Sequence, residues 1–308
     1  MKRLKKWLSP FVLHPIFRYL LVHYYYRDII RSSERVFQLR RRADSLGEPF
    51  WENELRKQAH IIDKGPHRCD WETGNSAEAY LVFKKALLKI QSAELLDDPS
   101  IRWAKNKVAE YENRTTYNVI DPEYISTSCS YDHLLDVIKT RRSIRRLKKQ
   151  KISRETVRKI VEVLNWAPGS CHRQTGKVYV TDNPDLAKRC LELCAGSSGF
   201  SEHIALFFCF CSDIKAYQMP VEATLPYINV SLGIQNCNLV AHSLGVALTM
   251  LSWAQSTGKE EKKMKKLLNI PEEYKIIVNA VGGYPECGAQ TPERKSIEST
   301  MKIIDELR

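Results

Sequence analysis

Eight apolar residues stand in succession at Ile204-Ala205-Leu206-Phe207-Phe208-Cys209-Phe210-Cys211. A strand with one face in water alternates apolar and polar side chains. This run does not alternate, so both of its faces must be covered. Shorter strand signals flank it at residues 178–181, 246–251 and 276–281. Helical periodicity lies between them, at 133–140, 154–166, 184–195, 226–244, 259–268 and 295–307. Ser153 is a good N-cap for the second of these helices, and Ala167-Pro168-Gly169 stops it. The 226–244 helix is apolar almost all round, which calls for burial in a core or a subunit interface. Strands interleaved with helices predict an α+β fold, a three-layer α/β/α sandwich.

Upstream of about residue 130 the pattern is helical only. Segments 52–62, 76–92 and 98–113 are helix candidates, and 118–122 with the polar 126–130 patch reads as a connector. The expected organisation is a mostly helical N-terminal region over 1–130 and a mixed α/β domain over 131–308. A chain of 308 residues with 43% hydrophobic composition can fill such a core, which excludes wholesale disorder.

The net charge of +12 is concentrated in two places. Residues 1–50 hold eleven Lys and Arg against four acids, and residues 140–160 hold ten against one. The first cluster precedes an aromatic and apolar stretch, residues 7–26, that Arg18, Pro10 and Pro15 interrupt. It lacks a signal-peptide cleavage pattern and is too broken for a membrane span, leaving a surface helix or peripheral contact of residues 1–30 with anionic lipid. The second cluster is open to three readings: a solvated helical face, nucleic-acid contact, which the lack of interleaved aromatic residues disfavours, and a small phosphorylated ligand. Its core, Arg141-Arg142-Ser143-Ile144-Arg145, can set guanidinium forks, a hydroxyl and backbone N–H groups around one phosphate. The nine cysteines include no C-x-x-C pair and read as thiols in a reducing, cytoplasmic setting. No metal-ligand spacing, Ser-His-Asp order, Walker loop or G-x-G-x-x-G is present.

Four pieces then follow in order: the Arg-Arg-Ser-Ile-Arg segment; the loop Ala167-Pro168-Gly169-Ser170-Cys171-His172-Arg173-Gln174; the buried helix carrying Asn229, Gln235 and Asn236; and Gly283-Tyr284-Pro285 with Arg294-Lys295. This order resembles the nitroreductase family of FMN-dependent oxidoreductases over about residues 131–300. The stretch His60-Ile61-Ile62-Asp63-Lys64-Gly65 is similar to a short motif in a subgroup with an added helical N-terminus. The resemblance implies an intertwined homodimer with FMN at the subunit interface and NADH or NADPH as electron donor. It implies that Arg141 and Ser143 hold the FMN phosphate with Arg142 beside them, and that Arg294 and Lys295 return to it. Arg145 falls near the flavin pyrimidine edge, where a cation raises the flavin potential. Pro168, Gly169, Ser170 and His172 fall on the loop along the flavin, contributed across the dimer. Met250, Leu251 and Ser252 match the segment whose backbone faces flavin N5. His172, Thr175, Gly169 and Asn229 depart from the family's usual Asn, Pro, Ser and Asp. His172 is either a hydrogen-bond or proton donor or a loop histidine without a role. His60 and Lys64 either form part of a site or make a helix-face contact. Two other readings stay open: a flavin enzyme of another type (dehydrogenase, dehalogenase or flavin-consuming), and a non-catalytic basic protein at a membrane surface.

Overall fold

The computed structural model describes residues 47–64, 76–113, 127–217, 219–253 and 258–304. Most of the first basic cluster, the 1–30 segment expected at a lipid surface, Gly65 and the 118–122 connector lie outside the described residues.

Among the described residues the first helices are α1 (Glu48–Lys64), α2 (Ser76–Leu87) and α3 (Pro99–Glu112). Asp98 caps α3 through the Ser100 N–H, and a proline stands in its first turn, where a missing N–H costs nothing. Phe50, Trp51, Leu55, Ala59 and Ile62 of α1 share one apolar cluster with Phe83 of α2 and Ile101, Ala104 and Val108 of α3. After them come α4 (Tyr131–Thr140), α5 (Arg154–Glu162), β1 (Gly176–Thr181), α6 (Pro184–Glu192), β2 (Leu206–Asp213), α7 (Leu225–Ser243), β3 (Ala247–Leu251), α8 (Gly258–Leu268) and β4 (Tyr274–Gly283). The Ser153 hydroxyl accepts from the Thr156 N–H, as the N-cap expectation requires.

The strands form one antiparallel sheet in the order β1-β2-β4-β3. Every residue of β2 is buried. Phe207, Cys209 and Cys211 point to one side, where they meet Ala187, Cys190 and Leu191 of α6 and Met264 of α8. Leu206, Phe208 and Phe210 point to the other, against Ile160 of α5 and Val230, Ile234, Cys237 and Ala241 of α7. The uninterrupted apolar run is therefore the middle layer of an α/β/α sandwich, and the α+β expectation holds. Cys209 and Cys211 face the same way, their Sγ atoms 3.7 Å apart.

Two helix ends differ from the sequence reading. The helix expected over 154–166 leaves α geometry at Glu162 and tightens into a 3-10 turn, Val163–Trp166. That turn lies against α7 at Gly233, where a Cβ would stand 2.2 Å from the Leu164 carbonyl oxygen. The helix expected over 295–307 is a single turn, Ile297–Thr300, followed by four non-helical residues before the described part ends. Its apolar side chains Ile297, Met301, Ile303 and Ile304 are 53–76% exposed. An amphipathic stripe stabilises a short helix only when a surface covers it, and the described residues offer none there. Among the described residues no helix is long and apolar enough to cross a membrane.

Candidate functional site

Residues 141–148 leave the end of α4 without regular structure and are laced to the sheet. The Thr249 hydroxyl on β3 donates to the Ile144 carbonyl at 2.8 Å. The Lys148 N–H donates to Tyr284 at 2.8 Å, and the Glu286 N–H donates to Arg146 at 2.9 Å. Ile144 and Leu147 are buried, which leaves Ser143 and Arg145 at the surface. Arg145 lies 5.6 Å from the Phe200 ring. Met250 and Leu251 close β3 opposite Ala280 and Asn279, and Ser252 bridges to Ala195. The Thr249–Ile144 bond thus brings the Arg-rich segment beside Met250, Leu251 and Ser252.

Arg142 draws the C-terminal segment onto this place. Its guanidinium donates to the carbonyls of Lys139 at 2.5 Å, Arg141 at 2.8 Å and Gln290 at 3.3 Å, and to the Thr291 hydroxyl. Arg294 consequently comes within electrostatic reach of Arg141. Burial, then the charges of Arg142 and Arg294, pull the Arg141 pKa below its ordinary value. Among the described residues no carboxylate pairs with Arg141, Arg142, Arg294 or Lys295. His242, in the last turn of α7, also meets this group, its Nε2 2.9 Å from the Thr140 hydroxyl. Its pKa is lowered by burial and next by Arg141. Like charges gathered without a carboxylate partner repel one another, an arrangement that suits an anionic ligand.

The second group is the loop after α5. Pro168 and Gly169 are exposed and lead into a single turn, Ser170–His172. Cys171, His172 and Gln174 have φ of 53°, 52° and 53°, a left-handed conformation that side chains disfavour. Such residues cost on the order of 1–3 kcal/mol each and persist where the surroundings over-determine them. Here they do. The Asn229 side-chain oxygen accepts from both the N–H and the hydroxyl of Ser170, each at 3.2 Å. The Asn229 amide donates to the Tyr217 hydroxyl at 3.0 Å, which lies 2.9 Å from Thr175 Oγ1. Two of the departures from the family pattern, Asn229 and Thr175, are therefore joined in one buried network. Arg173 forms an ion pair with Glu222 at 2.7 Å, its side chain only 3% exposed, and lies over the Tyr217 ring. Its carbonyl accepts from Arg56 Nε of α1 at 3.2 Å. Gly169, His172, Gln174, Thr175 and Asn229 line a small cleft.

The N-terminal helices reach this loop. The His172 ring lies 4.8 Å from Trp103 of α3 and is stacked 5.8 Å from His60 of α1 at an interplanar angle of 26°. Lys64 is exposed at the end of α1 and acts on His60 through its charge. Sequence reasoning singled out His60, Lys64 and His172 but missed Arg56, Trp103, Arg173, Tyr217, Glu222 and His242. Arg173 stands in the quoted loop without anything local to mark its role, the others stand in no motif, and only long-range partners reveal them.

Both groups touch α7, at opposite ends. Asn229 and His242 are 13 residues apart on it, about 20 Å at the helical rise. Within one chain the structure joins the Arg-rich segment to the end of β3, and leaves the 168–174 loop away from both.

Residues 138–203 match the family model described as the nitroreductase family. An NADPH-dependent oxidoreductase from Staphylococcus haemolyticus is 25% identical over 179 residues, covering 52% of this chain and 69% of that one. Among solved structures, an FMN-dependent nitroreductase from Clostridium difficile is similar at 20% identity, covering 56% of this chain and 99% of its own, with a TM-score of 0.47. A nitroreductase from B. subtilis is similar at 21% identity, covering 55% and 73%, with a TM-score of 0.47.

Proposed function

We propose, for a chain that carries a nitroreductase-family domain, an FMN-dependent oxidoreductase that moves reducing equivalents from NADH or NADPH to a small-molecule acceptor. One observation carries this reading: Arg141, Arg142 and Arg294 converge with no carboxylate partner among the described residues. The group is suited to a compact dianion such as the FMN phosphate. FMN, when bound, accepts and donates hydride, so the protein needs no nucleophile of its own. Arg141, Arg142, Ser143, Arg294 and Lys295 would hold the phosphate. Arg145 would stand near the pyrimidine edge, and Met250, Leu251 and Ser252 along the ring. Pro168, Gly169, Ser170 and His172 would line the other side.

A homodimer belongs to the same reading. The 20 Å separation along α7 supports a reading in which the 168–174 loop serves a partner's flavin site rather than its own. Ile228 and Leu232 of α7 and Leu134 and Ile138 of α4 are 45–52% exposed, an apolar face that a second copy would cover. The reading divides the chain near residue 130. It places the protein in the cytoplasm, in keeping with the buried, unpaired thiols Cys190, Cys194, Cys209, Cys211 and Cys237. The test is the absorbance spectrum of the purified protein, before and after NADPH without oxygen. Oxidised-flavin bands that bleach on reduction are expected. A colourless protein that cannot be reconstituted with FMN refutes the proposal.

A further inference from the structure

The contact between His60 and His172 joins two parts of the chain, and packing alone does not account for it. Both rings are only partly buried, and His172 lines the cleft beside Gly169 and Asn229. Its backbone is held left-handed at φ 52°, between two further left-handed residues, by the Arg173–Glu222 pair and the Asn229–Tyr217–Thr175 network. Strain maintained by so many partners points to a side chain that must be aimed. The aim can be read. Gln174 Nε2 lies 2.9 Å from His172 Nε2. With the Gln174 amide N–H donating, His172 Nε2 is the acceptor of the neutral tautomer that carries its proton on Nδ1.

We propose that the N-terminal helices complete the reaction pocket: His60 and Trp103 hold the His172 ring so that its Nδ1–H is presented to a carbonyl-type oxygen of the acceptor, such as that of a quinone. This rests on the flavin reading above and deepens it. His172 is the substrate-touching residue, and His60 and Trp103 are positioning residues. Burial first, then the positive charge of Arg56, lowers the His172 pKa, while Asp63 opposes the shift. Burial first, then Lys64 and His172, lowers that of His60, again against Asp63. Asp63 is itself engaged by Lys107 of α3 at 3.3 Å. Both imidazoles are thus neutral at neutral pH, which suits an uncharged oxygen acceptor rather than a carboxylate. As the pH falls below the ordinary imidazole value, protonation sets two stacked cations beside Arg56 and Lys64, and the α1 contact weakens.

The full chain loaded with FMN tests this, with menadione as acceptor and histidine-labelled protein for NMR titration of His172. His60→Ala removes the cover; His60→Phe keeps a ring in the stack and guards against a folding defect. In His60→Ala the His172 titration midpoint should rise toward the ordinary imidazole value. The KM for menadione should rise about tenfold, the scale of one misplaced hydrogen bond, with FMN affinity within about twofold of wild type. His60→Phe should keep a midpoint close to that of wild type. An unmoved midpoint in His60→Ala, with or without a change in KM, overturns the proposal, as does an unchanged KM. A wild-type chain that takes up no FMN overturns the flavin reading together with this proposal, whereas these failures in a loaded enzyme overturn this proposal alone.

Discussion

Replacing Arg141 with methionine keeps the apolar stem and removes the guanidinium. A hydrogen bond to a charged partner contributes about 1.5–3 kcal/mol, so its loss should weaken FMN binding. The lower end applies, because Arg141 is partly exposed and Arg294, which is exposed, can move toward the gap. Arg142 compensates little, since most of its N–H groups are tied to the carbonyls of Lys139, Arg141 and Gln290. About 1.5–2 kcal/mol corresponds to a 10- to 30-fold loss of affinity. The apoprotein should respond with the opposite sign. Arg141 stands against like charges on Arg142 and Arg294, so removing it relieves repulsion and the apoprotein melting temperature should hold or rise. Titrating apoprotein into FMN and following flavin fluorescence gives the affinity; a melt without FMN gives the stability. Raising the ionic strength should weaken wild-type binding more steeply than that of the variant. Unchanged FMN affinity, or an affinity loss matched by a drop in apoprotein stability, would refute the reasoning, the second because it would make Arg141 structural.

Other consequences are independent of the cofactor. Gly233→Ala sets a methyl 2.2 Å from the Leu164 carbonyl oxygen. Overpacking of about 1–3 kcal/mol or more outweighs a gain of about 1 kcal/mol in helix propensity, so urea unfolding should shift to lower denaturant with an unchanged slope. Arg173→Met leaves the buried Glu222 without the guanidinium of its ion pair and should destabilise by about 3–5 kcal/mol; adding Glu222→Gln should restore part of it, as a double-mutant cycle would measure. Burial pushes the Cys190 thiol up to about 11 and those of Cys194 and Cys237 to about 12. In the native protein a disulfide reagent should therefore label exposed Cys129 quickly and these three only as the chain unfolds. Equal rates would contradict the packing of α6 and α7.

Much of the fold was legible because it depends on neighbours along the chain. The unalternating run at 204–211 demanded cover on both faces, and α5 and α7 on one side and α6 and α8 on the other provide it. Ser153 and the Pro168-Gly169 stop signalled helix limits through groups only a few residues away, although the final turn of α5 tightened because Gly233 lets Leu164 approach. The Arg-Arg-Ser-Ile-Arg segment suggested a phosphate-binding chemistry through residues that are adjacent in the chain. Its completion required the tertiary structure, since Arg294 reaches Arg141 only through the Arg142 contacts with Gln290 and Thr291. The His60–His172 stack was equally hidden. It depends on backbone held at positive φ by Arg173, Glu222, Tyr217 and Asn229, residues scattered between two strands and a helix. Sequence alone determined the layers and the clustering of positive charge at 140–160, because periodicity and side-chain chemistry are local. Only the fold decided where charges meet and which loop residues are held at positive φ, because those energies depend on atoms that are distant in the chain.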